Sequence, residues 1–253
     1  MDKAPSGVNR RKFLTAAAVS GAAVAATPPG PTGEAAALGV ATPALPPSAA
    51  QMEAEIGLPT KIAVTMAESG GRPGSDFMVD VLRALDIDYV ATNPASSCRG
   101  LHESINNYAM NKKPELLTAT HEEIATAMAH GYAKVANRPM GLLFHGTVGI
   151  QHATMAFYNA WCDRAPMLIM SGNHLDAAHR PPGVPTTHAA QDPLAIVRDF
   201  TKWDDQPASL QAMAESLFRA HKITMTPPYG PVAVSLDAHL QEGVAGKDLK
   251  IPK

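Results

Sequence analysis

The chain has 253 residues, 45% of them hydrophobic and 17% charged, with a formal net charge of -2. That is length enough for one sizeable core plus extensions, at the composition of a globular protein. The absence of a basic excess and an aromatic fraction of only 5% argue against a nucleic-acid surface, and two cysteines, Cys98 and Cys162, make no disulfide framework.

The N-terminal stretch "NRRKFLTAAAVSGAAVAATPPGP" places the paired Arg10 and Arg11 ahead of Phe13, Leu14 and an Ala/Gly run. In that order these features resemble a twin-arginine export signal, departing from its commonest residues at Asn9 and Thr15. The run is shorter than the about 20 apolar residues that a bilayer span takes. Residues 1–37 are therefore expected to be an export signal, cleaved among the small residues 23–26 or 35–37. The mature chain is then periplasmic or otherwise exported, with no membrane span; the alternative is a cytoplasmic chain. Residues 38–74 are rich in Pro, Gly and Ala and read as linker, apart from a short helix over 52–56 and a strand in "KIAVTM".

From residue 75 the apolar pattern becomes regular. "GSDFMVDVLRALDIDYVATNP" reads as a helix, then a strand that ends in a loop at Asn93 and Pro94. "ELLTAT" is a strand by its β-branched and apolar content. "HEEIATAMAHGYAKV" is a helix in which Ile124, Ala127, Met128, Gly131, Tyr132 and Val135 recur at three- and four-residue steps, so one face is apolar. "MGLLFHG" is a strand, "GIQHATMAFYNAWCD" a helix and "PMLIMSGN" a strand. A polar loop rich in Pro and His follows, then the helix "SLQAMAESLFRAHKITMT" and the strand "GPVAVSL".

Helices and strands alternate, and three of the strands are unbroken apolar runs, as expected when both faces of a sheet are covered. The predicted fold class is α/β, a three-layer sandwich with a mainly parallel sheet over residues 75–240, followed by a tail at 241–253. In such sheets, sites form at the carboxyl ends of the strands. Asn93 to Ser97, His121 with Glu122, and His145 with Gly146 all fall just past such ends. Glu122 and Glu123 have an ordinary explanation as first-turn acids, favoured by the helix dipole by about 0.3–1 kcal/mol. The clustering of polar residues at strand ends raises the alternative that one of them is a reagent.

At this point the chain resembles a known group. "HEEIATAMAHGYAKV", "LLFHGTVGIQHATMAFYNAWCDRAPMLIMSGN" and "GPVAVSL", in that order, look like the pyrimidine-binding domain of thiamine diphosphate enzymes such as acetolactate synthase and benzoylformate decarboxylase. The resemblance implies thiamine diphosphate as cofactor and a thiamine diphosphate-binding fold. It implies that Glu122, the glutamate directly after the histidine, touches the aminopyrimidine ring and governs its protonation, while Glu123 remains a first-turn acid. Asn93, Pro94, Gly149 and Gln151 fall at cofactor-binding positions. Benzoylformate decarboxylase has an Asn-Pro-Gly-Ser loop and a His-Ser-Ala-Ala-Gly turn. The counterparts here, Asn93-Pro94-Ala95-Ser96 and His145-Gly146-Thr147-Val148-Gly149, imply that Ser96 binds a substrate carboxylate and His145 moves a proton. The plain alternatives are that His145 ends a buried strand and that Ser96 stabilises a turn. Ile150-Gln151-His152 stands where the group has Thr-Gly-Asn or Ala-Thr-Asn, which leaves the substrate class open.

The same group carries a Gly-Asp-Gly motif, with a later Asn, in a second domain that holds the diphosphate and a divalent metal. These 253 residues contain no Gly-Asp-Gly. The expectation is a split enzyme: one subunit of a hetero-oligomer whose separate diphosphate-binding-domain subunit also holds Mg2+. The implied reaction is a lyase or transferase step on a small-molecule 2-oxo acid or similar carbonyl substrate. The alternative is a non-catalytic assembly or ligand-binding module that retains the fold. No metal ligand is assigned to this chain, because the loop with His174, Asp176, His179 and His188 shows no zinc spacing. A Gly-x-Ser-x-Gly elbow, a Walker loop and a dinucleotide fingerprint are all missing.

Overall fold

A computed structural model describes residues 71–174 and 189–253. The expected export signal, the linker up to residue 70, the helix over 52–56, the strand "KIAVTM", and Asp176, His179 and His188 lie outside the described residues.

Helix α1 (Gly74–Ala84) leads into β1 (Tyr89–Thr92), a 3-10 turn (Ser96–Cys98) and α2 (Arg99–Asn106). Next come β2 (Glu115–Thr118), α3 (Glu122–Ala136), β3 (Gly141–His145), α4 (Val148–Cys162) and β4 (Met167–Asn173). Two 3-10 turns, β5 (Asp204–Asp205), α5 (Leu210–Thr224), β6 (Pro231–Asp237) and α6 (Ala238–Glu242) complete the described chain. All strand pairings are parallel, in the order β2-β1-β3-β4-β6-β5. The expected α/β class with a parallel sheet is the one observed.

Strand alternation divides the core into two layers. From β3, Leu142 and Phe144 face one side, where they meet Ala125 and Ala129 of α3 and Ile150 and Phe157 of α4. Leu143 faces the other side, among Met78 and Leu82 of α1, Leu101 and Ile105 of α2, and Met213 and Leu217 of α5. Helices therefore cover both faces, as the unbroken apolar strands require.

Three elements carry little sequence signal. Helix α2 shows only Leu101 and Ile105 as apolar anchors, β5 is two aspartates held by register against Ala233 and Val234, and α6 has five residues. Each is short and fixed by tertiary contact rather than by periodicity. Residues past 240 stay on the domain: the Gln241 side chain donates to the carbonyls of Ser97 and Leu236 and accepts from the Leu101 amide, and Val244 bridges to Pro73. No helix among the described residues is long and apolar enough to cross a membrane.

Helix α3 buries a different face from the one its large apolar residues mark. Ala125, Ala129 and Ala133 point inward, while Ile124, Met128 and Val135 are 49%, 41% and 90% exposed. Small side chains let α3 approach the sheet and α4 closely, and the larger ones turn outward beside exposed Val148, Met155 and Tyr158 of α4.

Candidate active site

The chain leaves β1 toward β2 on one side, and β3 pairs on the other, so the sheet order reverses at β1. Ligands of open parallel sheets lie beyond the carboxyl ends of the strands at such a reversal. The segments after β1, β2 and β3 converge there.

Glu122 is placed by the start of α3. His121 is extended, with φ -158°, and its Nδ1 accepts the Glu123 amide at 3.2 Å, so the imidazole caps the helix. Glu123 then points to solvent and Glu122 turns inward, 6% exposed. Thr126 Oγ1 donates to the Glu122 backbone carbonyl at 2.8 Å, but among the described residues no hydrogen bond or ion pair reaches the Glu122 carboxylate. A buried carboxyl without a partner is costly to the fold, and a ligand that hydrogen-bonds to it removes the cost.

Gly149, in the first turn of α4, closes on that carboxyl. A Cβ at Gly149 would stand 3.0 Å from Phe144 Cβ, 3.4 Å from Glu122 Oε1 and 3.4 Å from His145 Cβ. A larger residue here would need Phe144 to give by a few tenths of an ångström, whereas glycine fits without a shift. Gly149 thus marks the point where Glu122 and His145 come together. His145 ends β3 and is 7% exposed, in register with Gly172 of β4.

The loop after β1 contributes differently from expectation in one respect. Asn93 is half-buried, while Pro94 and Ser96 are exposed. The neighbouring Ser97 is the hydroxyl that turns inward, accepting from the Gly146 amide at 3.4 Å. A Cβ at Gly172 would lie 2.3 Å from the Ser97 carbonyl oxygen, so this turn is seated directly on the end of β4. The sequence places Ser97 in the stretch past β1 but gives it no role; the glycines at 146 and 172 are the signal that a backbone approaches there.

The unusual Ile150-Gln151-His152 resolves into three roles. Ile150 is core, Gln151 is exposed on the first turn of α4, and His152 meets His121. The two imidazoles face each other with His121 Nε2 and His152 Nδ1 2.9 Å apart and ring centres 4.9 Å apart. His121, Glu122 and His152 each bring a ligating atom within 4.8 Å of the others. His174, from the loop considered for metal binding, is buried after β4. Cys98 is buried and its thiol is pushed up to about 12 by desolvation, so it supplies no thiolate at neutral pH. A cavity of about 600 Å³ opens on the other side of the sheet, lined by Arg72, Asp76, Glu103, Tyr108 and Gln241 among others, and contains none of these groups.

Residues 72–197 match the family described as thiamine pyrophosphate enzyme, N-terminal TPP binding domain. The catalytic subunit of mitochondrial acetolactate synthase from Saccharomyces cerevisiae is 26% identical over 66% of this chain and 23% of its own length. Acetolactate synthase from Bacillus subtilis is 22% identical over 64% of this chain and 27% of its own length. The chain thus spans about a quarter of the length of these curated relatives. Among solved structures, benzoylformate decarboxylase from Polynucleobacter necessarius superposes with a TM-score of 0.62 at 20% identity, covering 72% of this chain and 33% of that one, which shows a shared fold.

Proposed function

We propose, from the match of residues 72–197 to the family described as thiamine pyrophosphate enzyme, N-terminal TPP binding domain, that this chain is the pyrimidine-binding subunit of a split thiamine diphosphate-dependent lyase or transferase. Its substrate is a 2-oxo acid or similar carbonyl compound. The observation that carries this reading is the Glu122 carboxyl, 6% exposed and without a partner among the described residues, against the glycine of the next helix start.

When bound, thiamine diphosphate supplies a carbon acid whose conjugate base attacks a carbonyl carbon. Glu122 holds and exchanges a proton at the aminopyrimidine ring nitrogen, a task for a carboxyl screened from water. Gly149 leaves the backbone room beside it. Asn93, Pro94 and Gln151, on the flanking loop and helix start, would hold the pyrimidine ring of the bound cofactor. His145 exchanges a proton at the substrate, a task that imidazoles commonly take on. Ser96, exposed on the loop after β1, offers its hydroxyl to a substrate carboxylate.

The diphosphate and Mg2+ are assigned to a partner subunit. Support comes from the exposed Ile124, Met128, Val135, Val148, Met155 and Tyr158 on α3 and α4. Exposed apolar side chains on adjacent helices are of the kind that a partner surface covers. Export by the twin-arginine route, which Arg10 and Arg11 support, would carry the assembled complex; finding the mature chain only in the cytoplasm after fractionation contradicts it.

The test is Glu122→Gln in the assembled complex. Glutamine keeps the volume and loses the proton exchange, so turnover falls about a hundredfold or more while the far-ultraviolet spectrum stays unchanged. Unchanged turnover overturns the assignment.

A further inference from the structure

We propose that His121, Glu122 and His152 form a binding site for a zinc-type divalent metal ion, separate from the Mg2+ that accompanies the diphosphate. The site shares Glu122 with the function proposed above but does not rest on it, because metal binding requires neither cofactor nor partner.

The donor set is two imidazoles and one carboxylate, which suits zinc, cobalt, nickel or iron and not magnesium. Its three ligating atoms lie within 4.8 Å of one another. Bonds of about 2.0–2.2 Å place two ligands about 2.9 Å apart at a right angle and about 3.4 Å apart in a tetrahedron. The observed His121 Nε2 to His152 Nδ1 spacing of 2.9 Å is already that of adjacent ligands.

The imidazole contact alone has a simpler account, since one ring can donate to the other. Glu122 is the independent observation. Its carboxylate is buried, has no hydrogen-bond partner among the described residues, and lies beside this pair. His152 sits exposed near the start of α4, so its ring can turn to tighten the set. Binding through His121 Nε2 moves that ring's remaining proton to Nδ1 and gives up the cap bond to the Glu123 amide, which at 3.2 Å is long. Three protein donors leave further positions open for water, and because a metal-bound carboxylate cannot also exchange a proton, the ion and the proposed cofactor compete for Glu122. The helices bring together residues that are 31 positions apart, which is why no sequence spacing announces the site.

The experiment titrates Co2+ into the full, untagged chain, followed by visible absorption, and then displaces it with Zn2+. One equivalent of Co2+ should give a ligand-field band that Zn2+ abolishes. His152→Asn, at an exposed position, and His121→Asn, which keeps a good helix cap, should each weaken binding by about 10- to 100-fold or more. His130→Ala, which removes the unrelated imidazole beside Asp163, should leave the band unchanged. Absence of stoichiometric binding overturns the proposal, and so does binding that survives intact in both asparagine variants. Thiamine diphosphate is absent throughout, so failure here leaves the Glu122→Gln test of the proposed function untouched.

Discussion

Glu122 illustrates how one side chain can be unfavourable for the fold and useful to the protein. Its position in the first turn of α3 gains about 0.3–1 kcal/mol from the helix dipole. Burial without a partner costs about 1–3 kcal/mol, so desolvation wins. Glu122→Met, of similar shape and apolar, should therefore raise the melting temperature of the chain in the presence of a chelator. The expected size is a few degrees, at about 2–4 °C per kcal/mol for a domain of this length. A lower melting temperature would mean that the carboxylate has a structural partner in the native protein. The sequence marks Glu122 because a motif order surrounds it. It does not mark Ser97 or the His121–His152 contact, because both depend on which residue of a loop or helix turn faces inward. The departure from Asn at position 152 is a visible hint, but its meaning needs the neighbouring helix.

At the scale of elements, close approach between backbones organises the site. The end of β4 receives the turn after β1, and a Cβ at Gly172 would stand 2.3 Å from the Ser97 carbonyl oxygen. A backbone atom cannot swing aside as a long side chain can. Gly172→Ala should destabilise the domain by about 1–3 kcal/mol in denaturant titrations. Gly131 is the contrasting case: it lies inside α3 with nothing within 4 Å of a Cβ. Gly131→Ala should stabilise by about 0.5–1 kcal/mol through helix propensity. Equal effects from the two substitutions would contradict the packing described. The main helices and the apolar strands were legible because each spans enough residues to show its period. Helix α2, β5 and α6 were not, being too short to show one. The face of α3 was misleading for a specific reason: its large apolar residues serve the outer surface and its alanines serve the core.

For the whole molecule, the apolar outer face of α3 and α4 and the buried carboxyl at the start of α3 belong to one account. The domain brings Glu122, Gly149 and His145 to the end of a parallel sheet and leaves apolar side chains exposed on α3 and α4. The fold class could be read from alternation alone, whereas the exposed face of α3 needed the packed structure. Cofactor binding tests the carboxyl and the proposed partner at once. Thiamine diphosphate with Mg2+ is titrated by calorimetry into the chain alone and into the chain co-purified with a proposed diphosphate-binding subunit. The account predicts saturable binding of thiamine diphosphate in the complex, abolished or strongly weakened by Glu122→Gln, with little or none in the chain alone. No binding to the complex, or binding indifferent to Glu122→Gln, would contradict it and leave a module that has kept the fold without the chemistry.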